Sequence, residues 1–162
     1  AALIIETLDM DSLVSQAVLS MDYQIKQAGA AVKVGKLEPC IGDAAQVSQV
    51  FINLLGNALK YSFPGRKVRI SIKNKLHNRR CVYCVEDNGI GIAGEQQERI
   101  FQIFQRLDPQ NSEGDGLGLT IVRQILGRMD GQVWVESEPG RGSRFFISLP
   151  APLSDKRSTE DE

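Results

Sequence analysis

The longest periodic stretch of the chain, residues 43–62, constrains its fold more than any other segment. At about 100° per residue, Val47, Val50, Phe51, Leu54, Leu55 and Ala58 fall on one broad face of a helix. Asp43 followed three residues later by Gln46 is a capping-box pattern at its start. Such a helix has to lay its apolar face on a second layer. The rest of the chain supplies that layer as strands. Residues 68–73 and 80–86 read as one hairpin with a polar loop between them, and 132–136 and 143–149 as another, turned at Pro139-Gly140. Short strands are expected at 2–8 and 31–34, and Pro39 breaks the run before Cys40-Ile41. A first helix, capped by Asp9 or Asp11, carries Leu13, Val14, Ala17, Val18, Met21 and Ile25 at helical spacing and stops at Gly29. A last one runs from Leu117 to about Met129, with Gly131 as its stop signal. The expected class is α+β: a two-layer α/β sandwich, its mixed, mostly antiparallel sheet covered on one face by about three helices.

A chain of 162 residues suits one domain. We expect it to occupy residues 1–150, with 151–162 as a loose polar tail. Net charge is -1, so no global field argues for nucleic acid or for an anionic membrane. No apolar run approaches the ~18–20 residues that span a bilayer. No signal peptide is visible, and the abrupt Ala1-Ala2-Leu3 start suits a fragment of something longer. Of three cysteines, Cys81 and Cys84 form a C-x-x-C inside a β-branched, aromatic run. On a strand, positions three apart face opposite ways. With no second Cys or His pair to complete a metal set, they read as packed strand thiols in a reducing compartment.

Three segments carry chemistry. Asp87-Asn88-Gly89-Ile90-Gly91 follows the strand-like run at 81–86. A carboxylate only accepts hydrogen bonds, so it suits an exocyclic amine on a base edge. The glycines let backbone approach a flat ring, although D-N-G is also a common turn. The second segment is the polar stripe of the long helix: Gln46, Gln49, Asn53, Asn57 and Lys60. An amide oxygen can ligate Mg2+ and an ammonium can meet phosphate; a solvated helix face has the same pattern. The third is Gly114-Asp115-Gly116-Leu117-Gly118-Leu119 at a helix start, where backbone N–H groups suit an anion. No Gly-Lys-Ser/Thr follows it, so it is not a Walker motif.

Taken together and in this order, these segments resemble the ATP-binding catalytic domain of sensor histidine kinases. That superfamily is shared with gyrase, the heat-shock chaperone ATPases and the mismatch-repair ATPases. Residues 49–62, 87–91, 100–107 and 114–119 carry the resemblance, with Glu138-Pro139-Gly140-Arg141-Gly142-Ser143 and the closing Phe145, Phe146, Leu149 and Pro150. The Phe-Gln-Arg-Leu at 104–107 is most similar to the phytochrome-type subgroup. The resemblance implies a Bergerat-type ATP-binding fold with ATP and Mg2+ as cofactors. It implies that Asp87 accepts from the adenine amine, with Gly89 and Gly91 against the ring. Asn57 is the implied Mg2+ ligand, and Asn53, Lys60 and Tyr61 line the phosphate side. Asn53, Asn57 and Lys60 are the implied catalytic set. Phe101 and Phe104 correspond to the aromatics that anchor a lid, unless they are ordinary core. Residues 105–114 correspond to the lid itself. Arg106 is placed near the γ-phosphate, or else on the exposed surface, and Gly114, Gly116, Leu117 and Gly118 near the phosphates.

The implied activity is transfer of the γ-phosphoryl group of Mg-ATP to a histidine on a dimerisation domain outside this chain, with a response regulator downstream. The domain would face the cytoplasm, touch neither membrane nor nucleic acid, and be monomeric alone. The alternative is a catalytically silent module that binds nucleotide or a partner. The one histidine, His77, sits at an expected hairpin tip before Asn78, where the family's phosphoacceptor has an acid on a long helix. Asp115 stands where the family has Thr or Ser, in a segment with three acids and no base at 108–115. Repulsion there would weaken ATP binding and leave the lid mobile until the absent helices dock.

Overall fold

The computed structural model describes residues 2–102 and 115–153, with 115–117 given by their backbone alone. In chain order the elements are β1 (Glu6–Leu8), α1 (Met10–Ser20), α2 (Asp22–Gln27), β2 (Ala31–Val34), β3 (Cys40–Gly42) and α3 (Ala44–Lys60). There follow β4 (Arg69–His77), β5 (Arg80–Asp87), α4 (Gly94–Gln97), a 3-10 turn at Arg99–Phe101, α5 (Asp115–Gly127), β6 (Gln132–Glu138) and β7 (Gly142–Pro150). Five strands form the main sheet in the order β2-β4-β5-β7-β6. Only β2 against β4 is parallel; the other pairs are antiparallel. β1 and β3 make a separate two-stranded pair. The helices pack on one face of the sheet, as the expected α+β sandwich requires.

α3 lies where its periodicity puts it. Val47, Val50, Phe51, Leu54, Leu55 and Ala58 are all buried. Across the layer, alternate residues of β5 point up at them: Cys81, Tyr83 and Val85 are each at most 1 % exposed. Phe51 meets Tyr83 edge-on, ring centroids 5.9 Å apart. The Tyr83 hydroxyl donates to the Glu38 carbonyl, so its burial leaves no orphan polar group. Burial pushes the neighbouring Cys40 thiol up to about 12, which keeps it protonated and unreactive. Cys81 and Cys84 do face opposite sides of the strand. Cys84 sits across the ladder from Phe146, on the open face where Phe146 stacks on Trp134.

Several expected boundaries move, each for a local reason. The 2–8 strand shrinks to Glu6–Leu8, because the Ile4 N–H is spent on the Asp43 carboxylate, 2.8 Å away, instead of on a ladder. The first helix breaks into two at Met21, whose N–H bonds back to Val18. The expected polar loop after residue 73 is mostly strand. β4 runs on to His77 and turns through Asn78 and Arg79, both at positive φ, the two-residue hairpin geometry. His77 therefore sits exposed at the end of a strand. The left-handed residue after α5 is Asp130 (φ 58), not Gly131. The Arg80 side chain holds that turn through the Asp130 carbonyl. No helix among the described residues is long and apolar enough to cross a membrane.

Asp43 ties two layers together. One carboxylate oxygen caps α3 through the Gln46 N–H at 3.0 Å, and the other takes the Ile4 N–H. These two bonds, the Ile4 one first, hold its carboxyl below the usual carboxylate range. A lowered folded value means stability that is present above the unfolded value and lost as pH falls through the folded one. Asp43→Ala should cost about 1–2 kcal/mol in urea unfolding at pH 7. The gap to the parent should close as the pH is lowered through the acid range. A constant gap down to the acid transition would show that the carboxylate charge is not what matters.

Candidate functional site

A narrow cleft opens between the C-terminal half of α3 and the end of β5. Asn57 and Tyr61 come from the α3 side, Asp87 and Ser143 from the ends of the paired strands β5 and β7. Ile92, Leu119 and Phe145 supply apolar walls, and Ile90 and Gly91 supply the rim. The space therefore suits something flat and mostly apolar that carries a donor.

Asp87 provides the matching acceptor. Its Oδ1 takes the Gly89 N–H at 2.8 Å. Burial raises its carboxyl to about 6, against the opposing pull of the Gly89 and Ser143 N–H groups. At neutral pH it is an ionised acceptor that still lacks full compensation. Gly89 and Gly91 are required by close approach. A Cβ on Gly89 would lie 2.3 Å from the Tyr61 carbonyl oxygen, and one on Gly91 (φ 77) 2.1 Å from that of Glu138. The loop is pinned on both sides: the Ile90 N–H donates to Tyr61 O, and the Ile90 carbonyl accepts from Gly140.

Asn57 faces the same cleft. Its Nδ2 is buried and has no hydrogen-bond partner. Such an orphan costs roughly 1–3 kcal/mol, a cost that a bound ligand would remove. As oriented the amide offers a donor; turned half a revolution it offers Oδ1, the atom that would suit a divalent cation. Asn53, one turn earlier, is engaged already. Its Nδ2 donates to Gly118 O at 3.1 Å, and its Oδ1 accepts from Gln49. That bond fastens the first turn of α5 to α3. Lys60 is exposed at the end of α3, and Tyr61 caps that helix through the Asn57 carbonyl.

The structure thus brings Asn57, Tyr61, Asp87, Gly89 and Gly91 together, with Asn53 and Gly118 adjoining. The helix expected from Leu117 begins at Asp115, so Asp115, Gly116 and Leu117 form its first turn. Phe101 is buried edge-on against Phe145, the core role weighed for it. Phe104, Arg106 and Gly114, and the rest of the expected lid at 105–114 except its neighbour Asp115, lie outside the described residues. Ile90, Ile92, Leu119, Ser143 and Phe145 line the cleft without having been singled out for it. Ser143 and Phe145 lay in a segment that carried the resemblance, but only the pairing of β7 with β5 shows why they matter.

The free protein should register the buried charge. The folded Asp87 carboxyl binds its proton more tightly than the unfolded one near 3.8–3.9, so its contribution to stability falls as pH rises from there through about 6. Asp87→Asn keeps the acceptor for Gly89 and removes the charge. It should raise the thermal stability of the ligand-free domain at pH 7.5 by on the order of 1 kcal/mol, with no gain near pH 4. A variant less stable than its parent at pH 7.5 would contradict the unfavourable burial of this carboxylate.

Residues 42–153 match the family model described as histidine kinase-, DNA gyrase B- and HSP90-like ATPase. The chain is 38 % identical over 143 residues to phytochrome-like protein Cph1 of Synechocystis sp., covering 88 % of this chain and 19 % of that protein. It is 44 % identical over 110 residues to the adaptive-response sensory kinase SasA of Thermosynechococcus vestitus, covering 67 % of this chain and 29 % of that one. The chain thus spans less than a third of the length of either relative. Among solved structures, full-length ShkA in complex with AMPPNP superposes with a TM-score of 0.79 at 27 % identity, over 95 % of this chain and 32 % of that one. The catalytic domain of histidine kinase ThkA superposes at 0.77 over 91 % of this chain and 96 % of that one; its 23 % identity speaks to the fold alone.

Proposed function

Because this chain belongs to the histidine kinase-, gyrase B- and HSP90-like ATPase family, we propose that it is the ATP-binding catalytic domain of a two-component sensor histidine kinase. It would pass the γ-phosphoryl group of Mg-ATP to a histidine on a dimerisation domain outside this chain, and from there to a response regulator. The domain would work in the cytoplasm, where ATP is available. The observation that carries the reading is the pairing of a half-buried, ionised acceptor with an orphaned amide across one cleft: Asp87 on β5 and Asn57 on α3.

The geometry supports the following division of labour. Asp87 accepts from the exocyclic amine of adenine, while Ile92, Leu119 and Phe145 exclude water around the ring. Gly91 lets the backbone lie against it. The Asn57 amide would hold Mg2+, which when bound supplies charge neutralisation at the phosphates. Lys60, at the exposed end of α3, can add a point charge on the same side. Asn53 keeps the first turn of α5 beside α3, so that the N–H groups around Gly116 and Gly118 can face an anion. Positioning and charge stabilisation are the main work in phosphoryl transfer, and these groups supply both. His77, exposed at a strand end, is not the acceptor in this reading.

Calorimetric titration with Mg-ATP tests the adenine end. Asp87→Asn should weaken binding by roughly 1.5–3 kcal/mol, the size of a hydrogen bond to a charged group. Equal affinity of parent and variant would remove Asp87 from the adenine site. Asn57→Ala should reduce the magnesium-dependent part of ATP binding more than binding of adenosine alone. Equal losses would make Asn57 structural. Mixing the domain with a separate phosphoacceptor domain and γ-labelled ATP tests the transfer. Acid-labile, base-stable label on the acceptor supports the kinase, and nucleotide binding without label supports a silent module instead.

A further inference from the structure

The loop that presents Asp87 is held from outside the cleft by one side chain. Nη1 of Arg66 donates to the Asn88 carbonyl at 2.9 Å and to the Gly140 carbonyl at 3.0 Å. The first carbonyl follows Asp87 directly. The second belongs to the β6–β7 turn, whose Gly140 N–H bonds to Ile90 O. One guanidinium nitrogen therefore bridges the two backbone segments that form the rim. Its approach is preset, because the guanidinium carbon lies 4.0 Å over the Phe63 ring. The neighbouring residues strengthen the same junction. The Asn88 side chain donates to Lys67 O and accepts from Arg69 N, each at 2.9 Å. Segment 66–69 thus grips the Asp87 loop through three residues.

Arg66, Phe63, Asn88 and Gly140 do not line the cleft. What they restrain is the placement of Asp87 to Gly91. Backbone there approaches within the space of a missing Cβ of Tyr61 and of Glu138, so a small drift of the rim changes the slot. We propose that Arg66 is a positioning residue for the nucleotide site: it locks the β6–β7 turn onto the Asp87 loop and so sets the geometry of the base pocket. This inference rests on the ATP-binding reading above. Arg66 acts in it through two neutral carbonyls and not by its charge on phosphate.

The experiment compares the parent, Arg66→Ala and Phe63→Ala. Mg-ATP affinity is measured by calorimetry at low and high salt, and backbone amide exchange is measured without ligand. Arg66→Ala should lose roughly tenfold in ATP affinity, the scale of two ordinary hydrogen bonds. The loss should persist at high salt, because a hydrogen-bond clamp is not screened as a distant charge is. The amides of Ile90 and Gly140 should exchange faster, while those of the α3 core, such as Leu54, stay protected. Phe63→Ala, which leaves the guanidinium but removes its support, should show the same pattern more weakly. It also serves as the test variant should Arg66→Ala fail to fold. Unchanged ATP affinity, a loss that vanishes at high salt, or faster exchange throughout the domain would each overturn the proposal. A parent that binds no ATP would instead sink the reading of the site, and the exchange measurement alone would then decide whether the clamp exists.

Discussion

The packing of α3 on β5 is the contact on which the rest depends. Phe51 seats against Tyr83, and this fixes how the helix lies along the strand. From that contact both elements run toward the same end of the molecule. Six residues of helix carry the chain about 9 Å to Asn57, and four residues of strand carry it about 13 Å to Asp87. The orphaned amide and the buried carboxylate thus meet at one cleft because two apolar faces meet behind them. Moving the helix by one turn would part them.

The cleft accepts local costs that the surrounding fold offsets. A carboxylate raised to about 6 by burial, and an amide nitrogen with no partner, are both unfavourable in the free protein. They sit at the rim of a continuous core running from Leu8 to Leu149. Asp43 shows the opposite arrangement. It accepts from the Ile4 and Gln46 N–H groups, these bonds outweigh desolvation, and its carboxyl is lowered instead of raised. The two aspartates are thus tuned in opposite directions: desolvation dominates at Asp87, and bonds from backbone N–H groups dominate at Asp43.

Legibility in the sequence followed the range of the interactions. The apolar face of α3, its Asp43 cap and the Asp87–Gly91 turn were readable, because each is set by residues within a few positions of one another. The extension of β4 to His77 was harder. Asn74 and Lys75 look like loop composition, and only pairing with Tyr83 and Val82 of β5 makes them strand. The stop after α5 was assigned to Gly131, whereas Asp130 takes the left-handed conformation. Arg80, fifty positions away along the chain, holds that turn, so no local pattern announced it.

The sequence by itself determined the α+β layering and the family's ordered motifs. It also determined the identity of the acceptor at the end of β5. All of these rest on periodicity and on short-range chemistry. Only the tertiary structure decided that the Asn57 amide nitrogen lacks a partner, that the Asn53 side chain already has two, and that Ser143 and Phe145 share the cleft with Asp87. It alone revealed Arg66 as the tie between Asn88 and Gly140, which are 22 and 74 positions away along the chain. The reason is physical: carbonyl oxygens carry no residue-specific signature, so a side chain that reads backbone leaves no pattern at the positions it holds.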